Sequence, residues 1–101
     1  MPQPNTNPDK TVARFPLGKL VATPAAIEAM EQAGQNPHEL FQRHQRGDWG
    51  DVCPADAQEN ELSVKEGFRV MSVYTLKTGM KVWVITEADR SASTILLPED
   101  Y

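Results

Sequence analysis

Proline and glycine punctuate residues 24–67 in a repeating order: Pro24 then Gly34, Pro37 then Gly47, Pro54 then Gly67. Proline at the first helical position lacks only an N–H that the helix leaves unbonded anyway, and glycine accepts the left-handed backbone that closes a helix. The pattern predicts three short helices. Thr23 supplies an N-cap hydroxyl for the first, and Asn36 caps the second with Glu39 three residues on, a capping-box arrangement. Cys53 precedes the third and is a poor cap, although Asp56 suits the positive end of that helix. Ala26, Ile27, Ala29, Met30 and Ala33 form a buried stripe on the first helix, and Leu40, Phe41 and His44 form one on the second. Ala57, Leu62 and Val64 give the third only a thin apolar face.

Beyond Gly67 the period changes from helical to alternating. Residues 68–76 and 81–87 are rich in β-branched and aromatic side chains and are joined by the turn Lys77-Thr78-Gly79; a polar turn at 87–93 leads to a third strand at 94–97, which Pro98 stops. Apolar side chains occupy both parities, so the sheet cannot leave both faces wet, and helices must cover one. Tyr74 and Trp83 are expected to pair across neighbouring strands. Leu17–Ala22 permits a fourth strand, which Pro16 either confines to an edge or starts. The expected fold is α+β: two to three short N-terminal helices packed on a small antiparallel β-meander of three to four strands. One such domain spans residues 12–101. Residues 1–11, with Pro2, Pro4 and Pro8 among polar neighbours, read as a disordered tail.

Charge and composition narrow the function. A net charge of −4 and a pI near 5.0 weigh against broad, phosphate-driven nucleic-acid binding. The single cysteine, Cys53, allows no intrachain disulfide, no apolar run approaches a membrane span, and residues 1–9 lack the features of a secretory signal; the expected location is the cytoplasm, without membrane association.

Two polar clusters are candidates for function. The first is the corner Arg43-His44-Gln45-Arg46-Gly47-Asp48-Trp49-Gly50-Asp51. His44 with Asp48 and Asp51 would make a metal site only with more convergent ligands than this spacing offers, so a partly buried histidine bonded to backbone or Asp48 is preferred and no metal or other cofactor is assigned. Arg43 and Arg46 with Asp48 and Asp51 could hold an anionic ligand or a partner; the plainer reading, preferred for at least one of the two pairs, is an intrachain salt-bridge cluster that pins the corner, and Trp49 reads as an apolar plug. The second cluster is the turn Thr86-Glu87-Ala88-Asp89-Arg90-Ser91, with Thr94 just after. There a carboxylate and a guanidinium suit acid–base chemistry on a phosphodiester. The plainer reading is a polar hairpin in which Asp89 and Ser91 bond locally and Glu87 pairs with Arg90. Cys53 stands among carboxylates and is not expected to be a nucleophile.

The run Arg43-His44-x-x-Gly47-Asp48-Trp49-Gly50-Asp51, with Lys81-x-Trp83-x-Ile85-Thr86-Glu87-Ala88-Asp89-Arg90-Ser91 and Leu96-Leu97-Pro98-Glu99-x-Tyr101, resembles a family of small bacterial proteins carried on plasmids and integrated mobile elements. They are labelled "plasmid-related protein", or sometimes type I restriction subunit M, which so short a chain cannot be. The likeness spans residues 20–101 and departs from the pattern at Cys53. It implies an accessory role in a mobile element and brings no defined activity with it. A looser likeness, at the level of fold, is to barnase-like ribonucleases: helices followed by an antiparallel meander. It would make Glu87 a base, Arg90 a phosphate contact, and His44 or Thr94 an auxiliary group.

Two functions follow as expectations. The first is a non-catalytic accessory protein that binds a partner protein through Arg43, His44, Asp48, Trp49 and Asp51 of the corner together with Glu87, Asp89 and Arg90 of the turn. The alternative is a metal-independent ribonuclease using His44, Glu87 and Arg90, which would have to line one cleft.

Overall fold

A computed structural model describes residues 12–101; the tail assigned to residues 1–11 lies outside them. β1 (Lys19–Ala22) leads directly into α1 (Pro24–Ala33), where the Thr23 hydroxyl accepts the Ala26 N–H at 3.2 Å. After Gly34, α2 (Pro37–Gln45) starts on Asn36, whose side chain accepts the His38 N–H at 2.9 Å. Glu39 contributes to that end as a first-turn carboxylate and through its backbone N–H to the Asn36 carbonyl, not as the second half of a capping box. α3 (Pro54–Glu66) has no side-chain cap, as Cys53 foretells.

The inward face of α3 differs from expectation. Asn60 and Ser63 are buried, Ala57 and Val64 pack beside them, and Leu62 is 45% exposed. Positions 57, 60 and 64 recur at helical spacing, whereas Leu62 lies well round the helix from that stripe.

Three strands follow: β2 (Val70–Thr75), β3 (Lys81–Thr86) and β4 (Ala92–Leu96), then a 3-10 turn at Pro98–Asp100. β2, β3 and β4 form the antiparallel meander, and β1 joins β4 in parallel, so the sheet is mixed, in the order β1-β4-β3-β2. The parallel pairing is possible because all three helices lie in the crossover between β1 and the meander.

One face of the sheet meets α1 and α2 in a core of Ala26, Ala29, Met30, Leu40, Phe41, Tyr74, Leu76, Val82, Val84, Ile95 and Leu97. A smaller cluster of Phe15, Trp49 and Val70, backed by Leu17, Val52, Ala57 and Val64, ties α3 and the segment before β1 to the sheet. The register sets Tyr74 opposite Val82 and Trp83 opposite Val73. Tyr74 therefore points into the core and Trp83 to the other face, and the two are not the cross-strand pair expected from the sequence. Trp83 packs instead against Tyr101, with ring centroids 5.4 Å apart, and the Arg69 guanidinium bonds the Tyr101 hydroxyl at 2.6 Å. This cover leaves Ile85 and Leu96 buried on the face without helices, which answers the apolar residues of the second parity. No helix among the described residues is long and apolar enough to cross a membrane.

Candidate functional site

The corner begins where α2 ends. Asp48 accepts from Arg43 Nε at 2.8 Å, and the pair holds the Arg43 guanidinium charged beyond its ordinary value. Arg43 also lies over the Tyr74 ring, 4.6 Å from its centroid, while the Tyr74 hydroxyl donates to the Asp48 carbonyl at 2.6 Å. The chain then runs against the outer edge of β2: Val73 N–H donates to the Trp49 carbonyl (3.0 Å) and Asp51 N–H to the Val73 carbonyl (2.7 Å). Gly50 sits at that crossing with φ +77°, and a Cβ there would collide with the Val73 carbonyl and the Tyr74 ring. Only glycine meets both conditions.

Trp49 is a plug, 6% exposed, stacked on Phe15 with its indole N–H aimed at Glu61 (3.2 Å). Arg14 grips the same Glu61 with two bonds, of 2.6 and 2.9 Å, and this pairing, then the indole, holds the Glu61 carboxyl below its usual range. Asp51 pairs not with Arg46 but with the Thr75 hydroxyl and with Lys81 at 3.7 Å; the hydroxyl, then the lysine, lower its pKa.

His44 is fully buried, and its partners are neither backbone nor Asp48. Nδ1 lies 2.6 Å from the Ser72 hydroxyl and Nε2 2.9 Å from that of Thr86; Thr86 meets Ser93 at 2.6 Å, and Ser93 donates to the Leu17 carbonyl at 2.8 Å. A carbonyl can only accept, so the proton order follows from that end. Ser93 donates to Leu17, Thr86 donates to Ser93, and His44 Nε2–H donates to Thr86. Ser72 completes the set at Nδ1, donating to it when the ring is neutral, the form that burial favours. Burial, with the nearby Arg90 charge second, pulls the pKa down to about 3. Both nitrogens are thus occupied, and among the described residues no group of three or more His, Cys, Asp and Glu side chains converges as a metal site would.

In the second cluster Arg90 takes a left-handed backbone, φ +61°, and its guanidinium is spent on carbonyls. Nη1 donates to Phe68, Glu87 and Ala88 at 2.7, 3.0 and 3.3 Å, and Nη2 donates to Ser63 at 2.9 Å. The expected pairing of Glu87 with Arg90 thus runs through the Glu87 carbonyl instead of its carboxylate. Asp89 behaves as the hairpin reading anticipates: it accepts the Ser91 N–H at 3.0 Å, and Ser91 lowers its pKa.

Corner and turn approach one another through Phe15. Trp49 stacks on its ring at 6.3 Å, Arg90 lies 5.4 Å from its centroid, and His44 meets both aromatic rings edge-on. The three groups of the ribonuclease arrangement do not share an opening. His44 is sealed beneath Phe15 and Trp49, Arg90 faces carbonyls, and Glu87 stands exposed. The surface grooves lined by Ala25, Glu28, Met80 and Leu97, and by Asp56, Glu59, Arg69 and Met71, include none of them.

Sequence reasoning missed Phe15, Asn60, Ser72 and Ser93. For Ser72, Thr86 and Ser93 a signal existed: each is a hydroxyl on the inward parity of a strand, beside Val70 and Tyr74, Val84, or Ile95. It missed, too, that Leu62 and Phe68 are 45% and 54% exposed, and that Arg90 of the turn bonds the carbonyl of Phe68 and that of Ser63, the residue after Leu62. The Phe68 and Gly67 N–H groups both return to the Ser63 carbonyl, the kind of helix end that folds the following apolar residue back over the last turns. Comparison with protein-family models, with curated proteins and with solved structures finds no match to this chain.

Proposed function

We propose that this protein is a non-catalytic binding module, an accessory protein of a bacterial mobile element that acts by holding a partner protein. One observation carries the reading. Arg43, Asp48, Asp51, Asp89 and Arg90 are engaged in local bonds, while Leu62 and Phe68 stand exposed at the end of α3 whose carbonyls Arg90 bonds. Leu62 and Phe68 flank the carbonyls that Arg90 clamps, and Glu87 and Asp89 are exposed on the adjoining hairpin. Apolar anchors within a charged rim are the usual make-up of a protein-binding surface. In this reading Arg90, Trp49, Arg43 with Asp48, and Asp51 hold the surface in shape, and His44 fixes the sheet beneath it. The mobile-element setting rests on the likeness of residues 20–101 to the plasmid-borne family.

The test pairs two measurements. Purified protein and its Glu87→Ala/Arg90→Ala variant are incubated with total RNA, and neither is expected to cleave it. A protein that co-purifies from the native host is expected to be lost with Phe68→Asp and retained with Glu28→Lys, at an exposed position on α1. RNA cleavage that disappears in the double variant would replace this reading with the barnase-like ribonuclease.

A further inference from the structure

The two edges of the sheet are treated differently. On β2 the outward-facing backbone groups of Met71 and Val73 are taken up: Asn60 offers its side-chain amide to Met71, accepting the N–H at 3.1 Å and donating to the carbonyl at 2.7 Å, and the corner bonds both groups of Val73. β1 has no such cover among the described residues. Its ladder to β4 is bracketed by Lys19 N–H to the Ser91 carbonyl and Thr23 N–H to the Ile95 carbonyl, each 3.0 Å. In a parallel ladder, alternate residues spend both backbone groups on the same neighbour. Lys19, Val21 and Thr23 therefore bond β4, and the N–H and C=O of Leu20 and Ala22 point outward. The side chains of Leu20 and Val21 are 41% and 38% exposed.

We propose that β1 pairs with β1 of a second copy of this chain, antiparallel about a two-fold axis at Val21, to form a continuous eight-stranded sheet. The argument for a second copy is one of register and charge. With the axis at Val21, Leu20 lies opposite Ala22 of the partner subunit, and each such pair exchanges two backbone bonds, four in all. Val21 meets its own copy across the axis. Lys19 lies opposite Thr23 of the partner subunit, and the Thr23 hydroxyl holds the Asp100 carboxylate at 2.8 Å. Asp100 is fixed further by the Leu97 N–H at 3.1 Å. A cation thus faces an anchored carboxylate in both halves of the interface, on the sheet face that Lys19, Val21 and Thr23 share. Shifting the axis to Leu20 would set Lys19 against Val21 and forfeit that pairing. Pro24, without an N–H, ends the ladder, so the contact is short and the dimer is expected to be weak. An isologous pairing of this kind closes on itself and does not propagate into a fibre. It uses no residue of the partner-binding surface and stands apart from that reading.

Sedimentation of the full chain from about 1 µM to about 1 mM, a range that spans weak interfaces, is expected to give a reversible monomer–dimer equilibrium. Leu20→Pro removes an outward N–H without touching the β1–β4 ladder, and Val21→Lys sets two cations on the axis. Each is expected to raise the dissociation constant at least about tenfold, with circular dichroism confirming that the fold persists. The Leu20 and Ala22 amides should exchange slowly at high concentration and quickly at low. The proposal is overturned by a monomer at every concentration, by a dimer that both folded variants leave unchanged, or by slow exchange of these amides in a monomer, which would mean that the chain covers its own edge.

Discussion

Acidification should unfold this protein through His44 before its carboxylates contribute. The imidazole is buried with both nitrogens bonded to hydroxyls, and burial, with the Arg90 charge second, lowers its pKa from 6.5 to about 3. A group whose folded pKa is depressed takes up its proton first in the unfolded chain. Stability is therefore whole above about pH 6.5 and drains as the pH falls toward 3. From these two values the loss is about 1 kcal/mol at pH 5.5, about 3 kcal/mol at pH 4.5, and about 5 kcal/mol below pH 3. A small domain has about 5–15 kcal/mol in total. Asp51, Glu61 and Asp89 also have lowered pKa values, but their ordinary values of 3.8 to 4.5 place their losses at lower pH. Urea unfolding at several pH values between about 7.5 and 4.5 measures the slope. His44→Gln keeps a donor and an acceptor without a titrating ring, so it should lower stability at neutral pH and flatten the slope above pH 5. The reasoning fails if wild-type stability is level from pH 7 to 5, if the slope survives in His44→Gln, or if the His44 ring of the folded protein titrates near 6.5 by NMR.

Gly50→Ala should cost at least about 2–3 kcal/mol in urea unfolding, because a Cβ there strikes the Val73 carbonyl and strains a left-handed backbone. Asn60→Ala strips the amide from Met71 and should cost about 2 kcal/mol, with faster hydrogen exchange at the Met71 N–H as the local signature. Arg90→Lys keeps the charge but loses the fork that reaches carbonyls on Ser63, Phe68, Glu87 and Ala88 together, and should lower stability by about 2 kcal/mol. Trp49→Ala empties the space between Phe15, His44 and Glu61 and should cost about 3–5 kcal/mol in thermal or urea unfolding; wild-type stability in that variant would mean that the indole is not packed as described.

Asn60 illustrates why part of the site escaped a reading of the chain. In sequence it is one polar residue in a polar helix, between Glu59 and Glu61. Its role exists only because α3 comes to rest against the edge of β2, where its amide matches the backbone spacing of Met71. Arg90 is similar: a guanidinium in a hairpin suggests a carboxylate partner, but the turn faces the carbonyls that end α3. His44 was rightly placed on the buried face of α2, yet its partners lie 28 and 42 residues away, and no local spacing announces them. Trp49 as a plug and Asp48 as the partner of Arg43 were legible because both are consequences of the tight corner itself.

Local chemistry in the sequence determined the three helices, their boundaries at Pro24, Pro37 and Pro54, the glycine stops, the hairpin strands and the α+β class, since each depends on backbone preferences within a few residues. Tertiary structure alone decided that β1 lies parallel to β4 with an outer edge uncovered among the described residues, that Asn60 and the corner bond Met71 and Val73 on the opposite edge, and that Phe15 joins the two polar clusters. Those outcomes turn on which distant backbone groups must find partners once the apolar faces have met, a condition that no short stretch of the chain contains.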